Sequence, residues 1–247
     1  NDRYLLSPAI AKLEELGASG VDLNLGCPAP KLKKIGAGQF LLEESNAAER
    51  ILRELRRMTE LPLSVKIRIG RKPDVNSLLE FCRMLEGVGV DLITVHARLY
   101  GEKFCRSPRW GLLASVTPRI NVPILVNGGI FSVDDARKCL QESGAAGLML
   151  GRGGATKPWL FRDIAREVYS SEADGEKLTE DSIYRLFIRL LQERMAPERR
   201  LGRLKQFTHY YAKNFGFGHR FAYDIQSSSS IEEAEMKANT FFSALQD

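Results

Sequence analysis

Five short runs of aliphatic and β-branched residues, over 21–25, 63–69, 91–96, 122–127 and 146–150, interrupt a chain whose other apolar positions recur at helical spacing. Each run precedes a turn, so the pattern predicts strands alternating with amphipathic helices over 47–58, 75–88 and 132–142. Run ends fall about 43, 28, 31 and 23 residues apart, room enough for a crossover helix between parallel strands. After Pro158 the strands stop. Helical periodicity takes over, with 178–195, 204–215 and 231–245 as its clearest segments and 170–175 as a polar connector. The organisation expected is a βα domain over 1–159 and an all-helical domain over 160–247.

A closed eight-stranded βα barrel takes roughly 250 residues by itself. Here about 155 residues precede the helical part, and they hold five units. Five parallel strands alone would leave two open edges and an unfilled interior. The fold expected is therefore an incomplete (βα)8 TIM barrel, three units short, followed by helices. An open doubly wound sheet would need no closure, but it gathers ligands at one switch point rather than at every strand end. The chain opens at Asn1 and runs almost at once into a helix-like stretch, so an N-terminally truncated form of a longer parent is expected.

With 44% hydrophobic and 27% charged residues the composition is globular, which excludes disorder and collagen-like repeats. Apolar runs stay far below the roughly 20 residues of a membrane span, so a cytoplasmic monomer without a membrane partner is expected. Cys27, Cys82, Cys105 and Cys139 show no CxxC pairing and do not cluster with the three histidines, which argues against a disulfide scaffold and against a metal site. The net charge of +5 permits a polyanionic partner without requiring one, so its distribution decides. Between 185 and 220 nine basic residues face only Glu193 and Glu198, and Arg199, Arg200, Arg203 and Lys205 are the candidate RNA contacts. Phe207, His209, Tyr210, Tyr211, Phe215 and Phe217 interleave with them, either as ring faces for bases or as the core of the helical domain.

Alternation along each strand places Ser64, Lys66 and Arg68 opposite Leu63, Val65 and Ile67, and Asp22 and Asn24 opposite Val21 and Leu23. Thr94, His96 and Arg98 likewise oppose Ile93 and Val95, while Asn127 and Arg152 close the last two units. Five units thus deliver polar groups to their carboxyl ends, the face where a βα barrel keeps its active site. Asn127-Gly128-Gly129-Ile130 and Gly151-Arg152-Gly153-Gly154 follow the last two runs, where barrels bind phosphate; no Rossmann or P-loop pattern is present. Cys27 sits on a turn directly after the first run, whereas Cys82 and Cys139 lie on apolar helix faces as small buried hydrophobes. An unperturbed thiol suits a proton donor, yet Lys66 or His96 nearby could make it a nucleophile, so both roles stay open.

Six motifs in order and spacing resemble the bacterial tRNA-dihydrouridine synthases. They are Asp22-Leu23-Asn24-Leu25-Gly26-Cys27-Pro28, Gly36-Ala37-Gly38 with Leu41-Leu42, Val65-Lys66-Ile67-Arg68, Val95-His96-Ala97-Arg98 with Trp110, Asn127-Gly128-Gly129-Ile130 and Gly151-Arg152-Gly153. The first is the most specific; the glycine motifs are shared with other FMN barrels. The resemblance implies an FMN-binding barrel, a helical tRNA-binding domain, and NADPH as the reductant of the flavin. It makes Cys27 the general acid toward C5 of uracil, sets Asn24 and Arg68 against the uracil, and sets Lys66 and His96 against the flavin. Asn127, Gly128, Gly129, Gly151 and Arg152 would surround the ribityl phosphate. The stretch from Leu204-Lys205-Gln206-Phe207 to Phe215 looks most like the C-type branch, implying uridine 16 as target. Family members carry three further strands before the cysteine motif, with an Ala-Pro-Met segment and a flavin-contacting Gln that this sequence lacks. Two other readings are an FMN-barrel oxidoreductase for a small molecule, dihydroorotate dehydrogenase-like, and a non-catalytic RNA-binding fragment.

Overall fold

The computed structural model describes residues 3–42, 44–172 and 178–245. Five strands, β1 (Val21–Asn24), β2 (Leu63–Arg68), β3 (Leu92–His96), β4 (Ile124–Asn127) and β5 (Gly147–Met149), form one sheet whose neighbouring pairs are all parallel. Their order in space is their order in the chain. A doubly wound sheet reverses at its switch point and a barrel wall does not, so these are consecutive βα units of a TIM barrel, followed by helices.

Leu63, Val65, Ile67, Ile93, Val95 and Val126 are buried on one face of the sheet. The helices supply the other half of that core. α1 (Arg3–Glu15) and α2 (Pro30–Lys34) flank β1, and α3 (Ser45–Met58) brings Ala48, Leu52 and Leu55; α4 (Val75–Val88) brings Leu78, Cys82 and Leu85, and α5 (Val133–Ser143) Ala136 and Cys139. The boundaries of α4 follow from local chemistry. Asp74 caps its start by accepting the amides of Asn76 and Ser77, and Gly89 ends it in the left-handed region at φ +88°.

The third crossover departs from the predicted alternation. Between β3 and β4 there is no α-helix among the described residues, only the 3-10 turns Trp110–Ser115 and Thr117–Arg119. Pro108, Gly111 and Pro118 sit too close together for an α-helix to propagate.

The chain divides into two compact units, 1–130 with 134–151, and 131–133 with 152–247. The break precedes the boundary read at 159/160 because α6 (Arg152–Thr156) and α7 (Leu160–Glu167) belong with the helices: Asn214 Nδ2 donates to the Thr156 carbonyl at 2.6 Å, and Trp159 meets the edge of Tyr211. Of the connector read over 170–175, residues 173–175 lie outside the described residues. α8 (Glu180–Arg194) starts from Thr179, whose hydroxyl accepts the Ser182 amide, and α9 (Pro197–Tyr211) begins with proline in its first turn, seven residues before the helix read from periodicity. α10 (Gly218–Gln226) was not legible in the apolar spacing, and α11 (Ile231–Ser243) is capped by Ser230. Tyr184 lies at the centre, fully buried, with Phe221 and Phe242 at 5.2 and 5.6 Å and its hydroxyl bound to Thr208 at 2.6 Å. Burial raises the Tyr184 phenol well above its ordinary range. Among the described residues no helix is long and apolar enough to cross a membrane.

Gly218 abuts the Ala212 carbonyl, so a Cβ there would overlap backbone that cannot rotate away. Gly218→Ala should cost the helical unit about 3 kcal/mol, the upper end of ordinary overpacking, as measured by urea denaturation. Gly202, inside α9 with open space where its Cβ would be, provides the contrast: Gly202→Ala should stabilise by up to about 1 kcal/mol.

Candidate active site

Strand register brings the candidate residues together. Asn24 pairs with Lys66, Arg68 with His96, and His96 with Asn127. Partners in register on adjacent parallel strands lie one strand spacing apart, about 4.8 Å, and project to the same side. Four strands therefore present Asn24, Lys66, Arg68, His96 and Asn127 on the face opposite the aliphatic core, at their carboxyl ends. Deeper on that face Ser64 donates its hydroxyl to Asp22 at 2.8 Å.

The turn bearing Cys27 is held from three directions. The Leu25 amide donates to the Lys66 carbonyl, Asn24 Oδ1 accepts the Gly26 amide at 3.0 Å, and Arg68 Nε donates to the Gly26 carbonyl at 3.2 Å. The Gln39 amide then binds the Cys27 carbonyl at 3.1 Å. Gly38 explains the second glycine motif: at φ +64°, a Cβ there would stand 2.6 Å from the Cys27 carbonyl oxygen. Cys27 itself is half-buried.

Charge concentrates beside this turn. Burial pulls the Lys66 ammonium below its ordinary pKa and the Arg68 guanidinium opposes its charge, while Asp22 and Cys27 push back. Arg68 is likewise lowered by burial and supported by Cys27, Glu102 and Tyr100. The thiol thus lies within Coulombic reach of both cations. Arg68 Nη1 donates to the Leu99 carbonyl at 2.8 Å, which leaves Nη2 without a hydrogen-bond partner among the described residues.

On the other side of Arg68, His96 and Arg98 are buried and joined by a 3.0 Å contact between Nε2 and Nη1. The glycine turn after β4 rests on them. Gly128 stands at φ +110°, with His96 Cδ2 2.7 Å from where its Cβ would be, and its carbonyl accepts Trp110 Nε1 at 2.9 Å. Gly129, at φ +80°, is pressed against Pro108 and Trp110. Asn127 spends its Nδ2 on the Met149 carbonyl at 2.7 Å, tying β4 to the end of β5, and the Cβ position of Gly151 faces open space.

The dihydrouridine synthase (Dus) family profile matches residues 1–245. The chain belongs to the dihydrouridine synthase family. It is 34% identical over 179 residues to a probable tRNA-dihydrouridine synthase 1 of Synechocystis sp., covering 70% of this chain and 50% of the relative. It is 32% identical over 163 residues to the tRNA-dihydrouridine synthase B of Pseudomonas syringae pv. tomato, covering 66% and 48%. The third relative is the tRNA-dihydrouridine(16) synthase of Pseudomonas putida, 34% identical over 224 residues, covering 87% and 67%. The chain thus spans about half to two thirds of the length of these relatives.

The remaining candidate residues belong to the helical unit. Arg152 opens α6 in the helical unit, 5.6 Å above the Phe131 ring. Arg199 and Arg203 are exposed on α9, with Arg203 bound to Gln206, and Lys205 is half-buried. Arg200 is not a free surface cation: it is half-buried and its Nε donates to the Met195 carbonyl at 2.8 Å, closing the turn before the helix. Of the interleaved aromatics, Tyr211 is fully buried, Phe207 and Phe215 pack on the core, and Phe217 is exposed. The alternation between ring faces and core is therefore decided for core at three positions.

Two features carried no sequence signal. Glu102 and Arg109, seven residues apart in an irregular loop, make a bidentate pair at 2.6 and 2.8 Å, and Glu102 also accepts the Leu99 amide. Gln39 is 7% exposed, and its Oε1 has no hydrogen-bond partner among the described residues.

Arg109 first, and then the Leu99 amide, hold the Glu102 carboxyl down to about 2 from 4.5. A lowered carboxyl contributes stability that is complete above the unfolded value and fades as pH falls through the folded one. Protection of the Leu99 amide from hydrogen exchange should accordingly weaken between pH 4.5 and about 2, and Glu102→Gln should remove that dependence. Gly128→Ala should destabilise the first unit by about 1–3 kcal/mol, from positive φ and from contact with His96, measured by thermal unfolding.

Proposed function

We propose that this protein reduces a uridine of tRNA to 5,6-dihydrouridine, with FMN as cofactor and NADPH as reductant, as a monomer in the cytoplasm. The observation that carries this reading is the clamped Cys27 turn beside Lys66 and Arg68, on the motif most specific to the family. Tight anchoring of a half-buried thiol fixes the point from which its proton is delivered, as a positioned acid requires, and a structural cysteine has no need of it.

The donor set fits a flavin phosphate and an electron-rich ring. Lys66 and His96 would face the ring system, and Asn127, Gly128, Gly129 and Gly151 the phosphate side. Lys66 Nζ has no hydrogen-bond partner among the described residues, and burial with Arg68 already disfavours its charge, so an anion beside it would relieve an existing cost. When bound, the flavin supplies the hydride that reaches C6 of the uracil. That addition builds negative charge on C5 and on the C4 carbonyl. Arg68, through the unspent Nη2, and Asn24, through Nδ2, stabilise it by hydrogen bonding. Cys27 holds the proton that C5 takes.

On α9 the exposed Arg199 and Arg203, together with the half-buried Lys205, would contact the phosphates of the RNA. Uridine 16 is the target this reading favours. The match to the tRNA-dihydrouridine(16) synthase of Pseudomonas putida covers 87% of this chain, against 66% for the match to the tRNA-dihydrouridine synthase B of Pseudomonas syringae.

Purified protein mixed with FMN should show flavin absorbance and convert uridine in tRNA when NADPH is added. Cys27→Ala should keep flavin and tRNA binding yet lose about 100-fold or more in turnover, the usual weight of a general acid. Near-normal turnover of that variant would remove the acid role. Arg199→Glu with Arg203→Glu should weaken tRNA binding and flatten its salt dependence while NADPH still reduces the flavin; unchanged affinity would return α9 to a solvated surface.

A further inference from the structure

Whether His96 can take the thiol proton from Cys27 depends on where the imidazole keeps its lone pair. Arg98 Nη1 lies 3.0 Å from His96 Nε2, and the two side chains are 3% and 5% exposed. A guanidinium has donors and no acceptor, so Nε2 must accept and the ring proton must sit on Nδ1. The arrangement is held from several sides. Arg98 Nε donates to the Arg106 carbonyl at 2.8 Å, and Nη2 reaches toward the Phe104 carbonyl at 3.4 Å. Gly128 closes the opposite side: a Cβ there would be 2.8 Å from both Arg98 Nη1 and His96 Nε2, so the turn leaves the pair no room to part. Trp110 fixes that turn through the Gly128 carbonyl, and the Phe104 ring stacks with the imidazole at 6.2 Å.

We propose that Arg98 is a positioning residue that locks His96 as its Nδ1–H tautomer, so that His96 acts in the site as an N–H donor and not as a base for Cys27. Taking a proton requires a vacant lone pair. The one on Nε2 is committed to Arg98, and Nδ1 already carries hydrogen. A second proton on the ring would set an imidazolium against a guanidinium at 3.0 Å in a buried setting. Cys27 therefore keeps its proton with respect to His96, as the acid role requires. The importance of this for turnover rests on the reductase reading; the tautomer itself does not.

The chain has three histidines, which makes the test direct. In protein labelled with 15N-histidine, long-range 1H–15N correlation should show His96 as a single Nδ1–H tautomer with an unprotonated Nε2. His209 and His219, both exposed, should give averaged signals. A protonated Nε2 on His96, or an averaged ring, overturns the proposal without any variant. Arg98→Met should release the lock and Arg98→Lys should restore part of it; an unchanged His96 signal in Arg98→Met would also overturn it. The second readout is alkylation of Cys27 by iodoacetamide in a Cys105→Ser background. His96→Asn should leave that rate nearly unchanged, whereas a fall of about tenfold or more would identify His96 as the base. Neither measurement uses flavin or tRNA, so failure here is separable from failure of the reductase reading, which is scored by flavin absorbance and tRNA turnover.

Discussion

The alternation of side chains along parallel strands in fixed register is the constraint on which the rest depends. Leu63, Val65 and Ile67 must face the helices to be buried, and their burial leaves Ser64, Lys66 and Arg68 no choice of side. The same holds for β3, where Ile93 and Val95 commit Thr94 and His96. A slip of one residue in β2 would send Lys66 and Arg68 into the aliphatic core. Hydrophobic burial thereby sets the positions of the polar groups at the carboxyl ends, although those groups themselves contribute little to it.

Several of the residues so placed hold structure together as well as facing the site. Asn24 gives Oδ1 to the Gly26 amide, Arg68 gives Nε and Nη1 to two carbonyls, and Asn127 gives Nδ2 to Met149. Each bond orients its side chain and leaves a smaller, directed remainder for a ligand. Such orientation lowers the entropy lost when a ligand binds. It also means that a variant at Arg68 would disturb the Cys27 turn through Gly26, so loss of activity there would not by itself mark contact with substrate.

The helical unit separates its tasks differently. Tyr184 gathers Phe207, Tyr211, Phe221 and Phe242 around one buried ring, with its hydroxyl satisfied by Thr208. With the aromatics turned inward, α9 is left with cations on its outer face. Two of them, Arg199 and Arg203, are exposed, while Arg200 is drawn back to cap Met195. Aromatic and basic residues that interleave in sequence are thus sorted by helical phase into a core and a surface.

What the amino-acid order determined by itself is whatever follows from local periodicity. The five strands, the helices read over 47–58 and 75–88, the inward set of polar residues and the burial of Cys82 and Cys139 were all legible there. Alternation and the 3.6-residue repeat are properties of neighbours along the chain, so a linear reading reaches them. Tertiary structure alone decided the contacts between residues distant in sequence or lying in irregular backbone. The pressing of Gly128 onto His96 and Arg98, the Glu102–Arg109 pair and the withdrawal of Arg200 all depend on which surfaces meet in space. Spacing carries no record of such meetings, because a loop residue's partner is chosen by where the rigid elements have already brought the chain.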